Sequence, residues 1–257
     1  MDILFNTKLI SGYKSKSQIA RVLSENWVET NSYCPRCGYP RLEHFENNKP
    51  VADFFCSHCL NIFELKSKMI HFGNKIADGS YLAMIDRIES NENPDFFLMT
   101  YDQFHNSVND FMVIPKYFFL SSIIEKRSPL SENARRAGWI GCNILLDRIP
   151  KEGRVYLIRD GITLRKDNVV KSLNKTIFLE NQDLNSRGWI IEVLNCINHT
   201  DTDIFKLDDI YMFEKYLCLI YPNNKHIKDK IRQQLQILRD KGLIEFLGRG
   251  IYKKITN

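Results

Sequence analysis

Apolar residues follow two patterns along the first 165 residues. At 15–28 they recur at helical spacing, with Ser15 or Ser17 as the N-cap, and this predicts an amphipathic helix. A second helix is predicted over 76–90, with a buried side formed by Ile76, Tyr81, Met84 and Ile88. Short apolar runs predict strands at 51–56, 61–66, 96–101, 110–115 and 154–159. Strands mixed with helices predict an α/β (mixed α+β) domain, in which helices cover a sheet.

The pattern changes after about residue 165. Residues 166–186 are polar, rich in Asn and Lys, and contain only short apolar patches. A polar stretch of this kind is typical of a boundary between domains. We therefore expect a first domain over 1–182 and a second over 183–257.

The second domain is predicted to contain three amphipathic helices followed by a hairpin. The apolar faces of the helices comprise Ile190, Ile191, Val193, Leu194 and Ile197; Ile210, Phe213, Leu217 and Ile220; and Ile227, Ile231, Leu235 and Leu238. Two short apolar runs then flank Gly248-Arg249-Gly250, which predicts a tight turn between two strands. Helix, helix, helix and hairpin is the order of a winged helix.

Composition places few limits on function. The chain has 257 residues, a formal charge of +5 and a pI of about 8.7, which suit nucleic acid binding without requiring it. No secretory h-region opens the chain, and no run approaches 18 apolar residues, so we expect no membrane contact. Seven cysteines without a secretory signal favour a reducing environment, so a cytoplasmic location is expected.

Four of the cysteines form two CxxC pairs. Cys34 and Cys37 are followed, after 18 residues, by Cys56 and Cys59. Two such pairs supply four thiolates in tetrahedral geometry and predict a structural Zn²⁺ site. Because four thiolates leave no open coordination position, we expect no catalysis at this metal.

Acidic residues and a lysine surround the second cysteine pair. Asp53 precedes it, and Glu64-Leu65-Lys66 follows it. Glu64 and Lys66 stand two apart on a predicted strand and so share one face. Two carboxylates on paired strands can hold Mg²⁺, and a lysine beside them can orient water or stabilise a phosphate. The pattern is that of the PD-(D/E)xK nucleases, and its catalytic candidates are Asp53, Glu64 and Lys66.

The basic excess is local. Residues 225–257 hold nine basic and three acidic residues, a net charge of +6, on the predicted third helix and hairpin. Such a cluster is what phosphate binding needs. We expect contacts with bases from the third helix and contacts with phosphates from the hairpin. The residues are Lys228, Arg232 and Gln233 on the helix, and Arg249 and Lys253 on the hairpin.

Longer segments resemble the DpnI-like family of methylation-dependent restriction endonucleases, and the resemblance covers essentially the whole chain. The segments are Tyr33 to Pro35, His44 to Asn48, Pro50 to Phe54, Phe63 to Lys68, Ala134 to Asn143, His226 to Lys228 and Ile231 to Lys241. One departure from the PD motif is that Pro50 stands three residues before Asp53 rather than next to it.

The resemblance implies a PD-(D/E)xK catalytic domain with a zinc site, followed by a winged helix. It implies a type II site-specific deoxyribonuclease that cuts double-stranded DNA at GATC carrying 6-methyladenine, leaving blunt ends between methyladenine and thymine. Mg²⁺ is expected at Asp53, Glu64 and Leu65. The residues themselves make Arg135 and Arg136 candidates for a phosphate clamp. They make Trp139 either a sensor of the methyl group or an ordinary core residue. The protein is expected to be a monomer in solution.

Two alternatives remain open at this stage. A DNA-binding regulator without catalytic activity could also combine a zinc ribbon with a winged helix, although it would have no reason to keep Asp53, Glu64 and Lys66. A repair nuclease would act on DNA structure rather than on GATC.

Overall fold

The computed structural model describes residues 1–46, 52–90 and 92–255. The chain forms two compact units. One comprises Met1–Asp147 and Glu152–Asn174, and the other comprises Arg148–Lys151 and Lys175–Asn257. The boundary expected after residue 182 remains a prediction.

A seven-stranded sheet is the centre of the first unit. Its strands are β1 Glu43–His44, β2 Phe54–Phe55, β3 Ile62–Met69, β5 Asp95–Asp102, β6 Ser107–Ile114, β9 Val155–Arg159 and β10 Ile162–Thr163. Their order in the sheet is β1-β2-β3-β5-β6-β9-β10, and β3 and β5 are parallel while the other neighbours are antiparallel.

Helix α1, Lys16–Asn31, packs against this sheet and agrees with the helix predicted over 15–28. Its buried side includes Trp27, whose ring meets that of Phe111 edge-on at 5.2 Å between centroids. The apolar strand runs at 61–66, 96–101, 110–115 and 154–159 are confirmed as β3, β5, β6 and β9.

The strand expected over 51–56 is shorter in the structure. Only Phe54 and Phe55 form it, while Val51 lies outside the described residues, as do Asn47, Asn48 and Pro50 of the family resemblance. Asp53 stands just before β2 but continues the ladder, because its backbone N–H donates to Phe63 O at 2.9 Å. The hairpin of β2 and β3 therefore begins at the acidic residue.

A second sheet corrects one prediction. The helix expected over 76–90 begins only at Tyr81, as α2 Tyr81–Glu89, and the preceding residues form β4, Lys75–Ser80. β4 pairs with β8, Gly141–Leu145, which also pairs with β7, Ile124–Lys126. Ile76 is buried opposite Ile144, so a tertiary pairing overrides the apparent helical spacing.

The polar stretch after residue 165 begins with a helix. Residues Lys166–Thr176 form helix α3. Val169 and Leu173 are four apart on it, and both belong to the core cluster of the first unit. These two side chains lie on one face of an otherwise polar helix, and their burial packs that face against the first unit.

The second unit has the order predicted for a winged helix. Its elements are α4 Leu184–Asn198, β11 Ile204–Lys206, α5 Leu207–Tyr211, α6 Glu214–Ile220, α7 Ile227–Asp240, β12 Ile244–Gly248 and β13 Ile251–Lys254. The predicted second helix is divided into α5 and α6, and β11 joins the hairpin in a three-stranded sheet. Within the described ranges, no helix combines the length and apolar character needed to span a membrane.

Candidate active site and metal centre

The four cysteines of the two CxxC pairs come together. Their sulfur atoms all lie within 4.8 Å of one another, and the Cys34–Cys59 and Cys37–Cys56 Sγ atoms are each 3.6 Å apart. Four sulfurs around a tetrahedral Zn²⁺ at about 2.3 Å would stand about 3.8 Å from one another. The cluster is therefore compatible with a zinc site of four thiolates.

Each cysteine pair forms a tight backbone turn. Gly38 N donates to Cys34 O at 2.8 Å, and Leu60 N donates to Cys56 O at 2.8 Å. Gly38 and Leu60 each follow the second cysteine of their pair, and both have positive φ angles, 77° and 61°. The second turn is also the connection between β2 and β3, so the cysteine cluster closes the hairpin that carries the acidic residues.

Asp53, Glu64 and Lys66 lie together at this hairpin. Asp53 Oδ2 accepts a hydrogen bond from Leu65 N at 2.6 Å, which fixes the carboxylate beside β3. Lys66 Nζ lies 2.5 Å from Glu64 Oε1. The Leu65 side chain packs against the core cluster, as the alternation along a strand requires. Leu65 can thus offer a metal only its main-chain carbonyl.

Asp78 is a site residue that the sequence did not indicate. It lies on β4, and its Oδ1 atom is 2.5 Å from Lys66 Nζ. Arg87 of α2 also faces the site, with Nη1 3.8 Å from Glu64 Oε2. No spacing rule links Asp78 to Glu64 and Lys66, and Asp78 fell within the stretch predicted as helix.

Burial and charge shift the pKa values of this group. Burial raises the pKa of the Glu64 carboxyl above its ordinary value; Lys66 opposes this shift, whereas Asp78 and Asp53 add to it. Burial alone would lower the pKa of Lys66, but Glu64 and Asp78 outweigh it and raise the pKa to about 12. Lys66 is therefore a permanent cation at neutral pH.

The donors at this site suit a hard divalent cation. Carboxylate and carbonyl oxygens are the ligands that Mg²⁺ prefers, and Asp53, Glu64 and the Leu65 carbonyl supply them. Glu64 Oε2 is buried and accepts no hydrogen bond from the described residues, although Arg87 Nη1 lies 3.8 Å from it. A buried carboxylate oxygen without a donor at hydrogen-bonding distance is costly unless a cation binds it directly. The residues present therefore fit a divalent metal.

Three candidate DNA contacts of the first unit lie on the connection between β7 and β8. Arg135 and Arg136 are exposed, and Trp139 is half-buried. The Arg136 guanidinium lies over the Trp139 ring, 4.6 Å from its centroid. Trp139 therefore lies outside the fully buried core, while the clamp and sensor roles remain predictions.

The second unit carries the other candidate DNA contacts, on α7 and on the β12–β13 hairpin that follows it. Lys228, Arg232 and Gln233 are exposed on the side of α7 opposite the buried Ile231 and Leu235.

Two of the candidate side chains on α7 lie beside acidic residues. Arg232 pairs with Asp229, and Lys228 Nζ lies 3.5 Å from Glu214. Arg249 and Lys253 are exposed on the β12–β13 hairpin, where Arg249 adopts a positive φ of 50°. The candidates thus lie on two elements, α7 and the β12–β13 hairpin, and their DNA contacts remain predictions.

Sequence models of two protein families match the chain. The DpnI model, described as the Dam-replacing family, matches residues 1–182. The DpnI_C model, described as the Dam-replacing HTH domain, matches residues 185–254. The first match covers more than half of the chain and contains the cysteine cluster and the acidic hairpin. The second begins one residue into α4 and extends through α7 to the end of the β12–β13 hairpin. The chain therefore belongs to the DpnI, or Dam-replacing, family of methyl-directed restriction endonucleases.

Proposed function

We propose that the protein is a Mg²⁺-dependent type II deoxyribonuclease that cleaves GATC sites carrying 6-methyladenine. The cut would fall between methyladenine and thymine in both strands and leave blunt ends. The observation that carries the proposal is the grouping of Asp53, Glu64 and Lys66 on a hairpin in a chain of this family.

Each residue has a distinct role in the proposed reaction. Asp53, Glu64 and the Leu65 carbonyl would hold Mg²⁺, which when bound polarises the scissile phosphate and lowers the pKa of water. Lys66 would orient the attacking water or stabilise the charge that develops on the phosphate. Its raised pKa supports this role, since the ammonium stays protonated throughout. Leu65 N would keep the Asp53 carboxylate in place through its hydrogen bond.

The four cysteines would bind Zn²⁺ in a structural role. With Cys34, Cys37, Cys56 and Cys59 as ligands the coordination is complete, so no water or substrate could join it. The metal would hold the β2–β3 hairpin closed and so keep Asp53 opposite Glu64.

DNA would be bound by both units. In the second unit, Lys228, Arg232 and Gln233 would enter the major groove, while Arg249 and Lys253 would contact phosphates. In the first unit, Arg135 and Arg136 would contact phosphate, and Trp139 would pack against the methyl group. Burying a methyl group contributes only about 1 kcal/mol. Strong discrimination between methylated and unmethylated DNA would therefore need both units to contact methyl groups. The protein would act on double-stranded DNA and be a monomer in solution.

A plasmid assay tests the proposal. The purified protein with Mg²⁺ is incubated with one plasmid prepared with and without adenine methylation at GATC, and an EDTA control is included. Cleavage of the methylated plasmid alone is expected. Asp53→Ala should abolish cleavage and keep selective binding of methylated duplex. Full cleavage by that variant would refute the catalytic assignment.

Other outcomes point to other functions. Binding of methylated DNA without cleavage under any divalent metal would indicate a regulator. Cleavage of branched or damaged DNA regardless of GATC would indicate a structure-specific nuclease.

A further inference from the structure

Asp78 is built into the structure as a partner of Lys66. Its side chain is only 8% exposed, and its Oδ1 atom lies 2.5 Å from Lys66 Nζ. It comes from β4, a strand of the smaller sheet, whereas Lys66 comes from β3 of the larger sheet. Two separate sheets therefore converge on one ion pair.

The backbone on both sides of Asp78 is held firmly. Asp78 pairs with Cys142 in β8, and the register of the two strands shifts between Asp78 and Ser80. Buried Cys142 donates its S–H to Gly79 O, 3.6 Å away, and Ser80 then caps the N-terminus of α2. A β-bulge of this kind redirects the side chain beside it. The position of Asp78 is thus set by pairing and by capping, independently of β3.

Lys66 has two carboxylate partners, and they are not equivalent. Glu64 is on the same strand and is one of the residues proposed to hold the divalent cation. Asp78 has no such assignment, since Lys66 takes its Oδ1 atom and the cation ligands lie on the hairpin. When Glu64 coordinates the divalent cation, Asp78 is the carboxylate that remains to pair with the Lys66 ammonium group.

We propose that Asp78 is a positioning residue of the cleavage reaction, which holds the Lys66 ammonium group at the scissile phosphate independently of Glu64. The inference rests on the proposed nuclease function and adds a fourth residue to its site. Asp78 acts through Lys66 and does not touch the DNA. A misplacement of a reacting group by 1 Å can cost about 100-fold in rate, so loss of Asp78 should slow cleavage strongly.

The first experiment compares Asp78→Asn with the parent protein in single-turnover cleavage of a methylated duplex. A rate decrease of about 10- to 100-fold is expected. The affinity for the same duplex, measured without Mg²⁺, and the melting temperature should stay close to those of the parent. Asp86→Asn is the matched control, because Asp86 is exposed on the neighbouring helix α2 and should change nothing. Parental cleavage by Asp78→Asn overturns the inference.

A double-mutant cycle separates positioning from a general structural role. If Asp78 acts through Lys66, Asp78→Asn should add no further loss to Lys66→Ala. Methylammonium is then added to the Lys66→Ala variant and to the Lys66→Ala, Asp78→Asn double variant, to supply the missing ammonium group. It should raise the cleavage rate of Lys66→Ala more than that of the double variant. Independent, multiplicative losses in the cycle would overturn the inference.

Two further outcomes are informative. A much higher Mg²⁺ requirement in Asp78→Asn, with little rate loss at saturation, would make Asp78 a cation ligand and overturn the positioning role. If Asp78→Asn fails to fold, Asp78→Glu and Asp78→Ser are compared instead. Asp78→Glu keeps the negative charge and should lose less cleavage activity than Asp78→Ser. Equal losses of activity in these two variants would overturn the inference. Cleavage by Asp53→Ala would instead refute the proposed function itself.

Discussion

Removing the zinc site should disable cleavage while leaving DNA binding by the second unit. The perturbation is Cys37→Ser with Cys59→Ser, which removes one ligand from each turn. In the proposed zinc form, the metal ties Cys37 to Cys56 across 18 intervening residues. Closing a loop of this size contributes about 3 kcal/mol through the entropy of the unlinked chain. That energy corresponds to a factor of about 150 in an equilibrium constant.

Among the described residues, the backbone pairing at this end of the sheet is short. β1 and β2 pair through two residues each, as do β2 and β3, while Phe54 is buried in the core and Asp53 adds backbone hydrogen bonds with Phe45 and Phe63. On the other side of the second turn, Asn61 Nδ2 donates to buried Asp95 at 2.6 Å, which secures the start of β3. We therefore expect β1, β2 and Asp53 to detach while β3 stays paired with β5. The equilibrium constant for the arrangement with Asp53 opposite Glu64 should fall by roughly the same factor of 150, and the population of that arrangement should fall by up to this factor.

Single-turnover cleavage of the methylated duplex measures this effect, and metal analysis checks the zinc content. Cys218→Ser is the matched control, since Cys218 is an exposed cysteine outside the cluster. The double variant should cleave more slowly, by up to about 150-fold, and still bind DNA. Parental cleavage by a zinc-free protein would refute the reasoning that a metal keeps Asp53 in place.

Three other predictions concern stability and DNA binding. Burial raises the pKa of Glu64, so the ionisation of this carboxyl lowers the stability of the protein as pH rises through that pKa. Glu64→Gln should therefore raise the melting temperature at pH 7 but not below about pH 4, and it should abolish cleavage. An unchanged melting temperature at pH 7 would contradict this. Arg249→Ala and Lys253→Ala should each reduce the slope of log K against log salt by about 1, and unchanged slopes would argue against phosphate contacts. Leu235→Ala removes a fully buried side chain of α7 and should cost about 2–5 kcal/mol in urea unfolding, unlike Gln236→Ala on the exposed side.

Local sequence determined much of this protein. Two CxxC pairs identify the cysteine cluster because thiolates in that spacing have few other uses. Glu64 and Lys66 share a face because they stand two apart on a strand, and any strand would place them so. The amphipathic helix Ile227–Asp240 and the Gly-Arg-Gly turn are also local features, which is why the order of the winged helix could be predicted.

Tertiary structure decided what depends on distant pairing. Residues Lys75–Ser80 have apolar spacing that fits a helix, yet they form a strand because β8, more than sixty residues later, offers a partner for Ile76. Helix α3 lies in a polar stretch, and the fold supplies the core residues against which its Val169 and Leu173 are buried. Asp78 reaches Lys66 only because β4 and β3 belong to sheets that converge. Proximity of this kind is created by packing, since residues far apart in the chain carry no local signal of their contact.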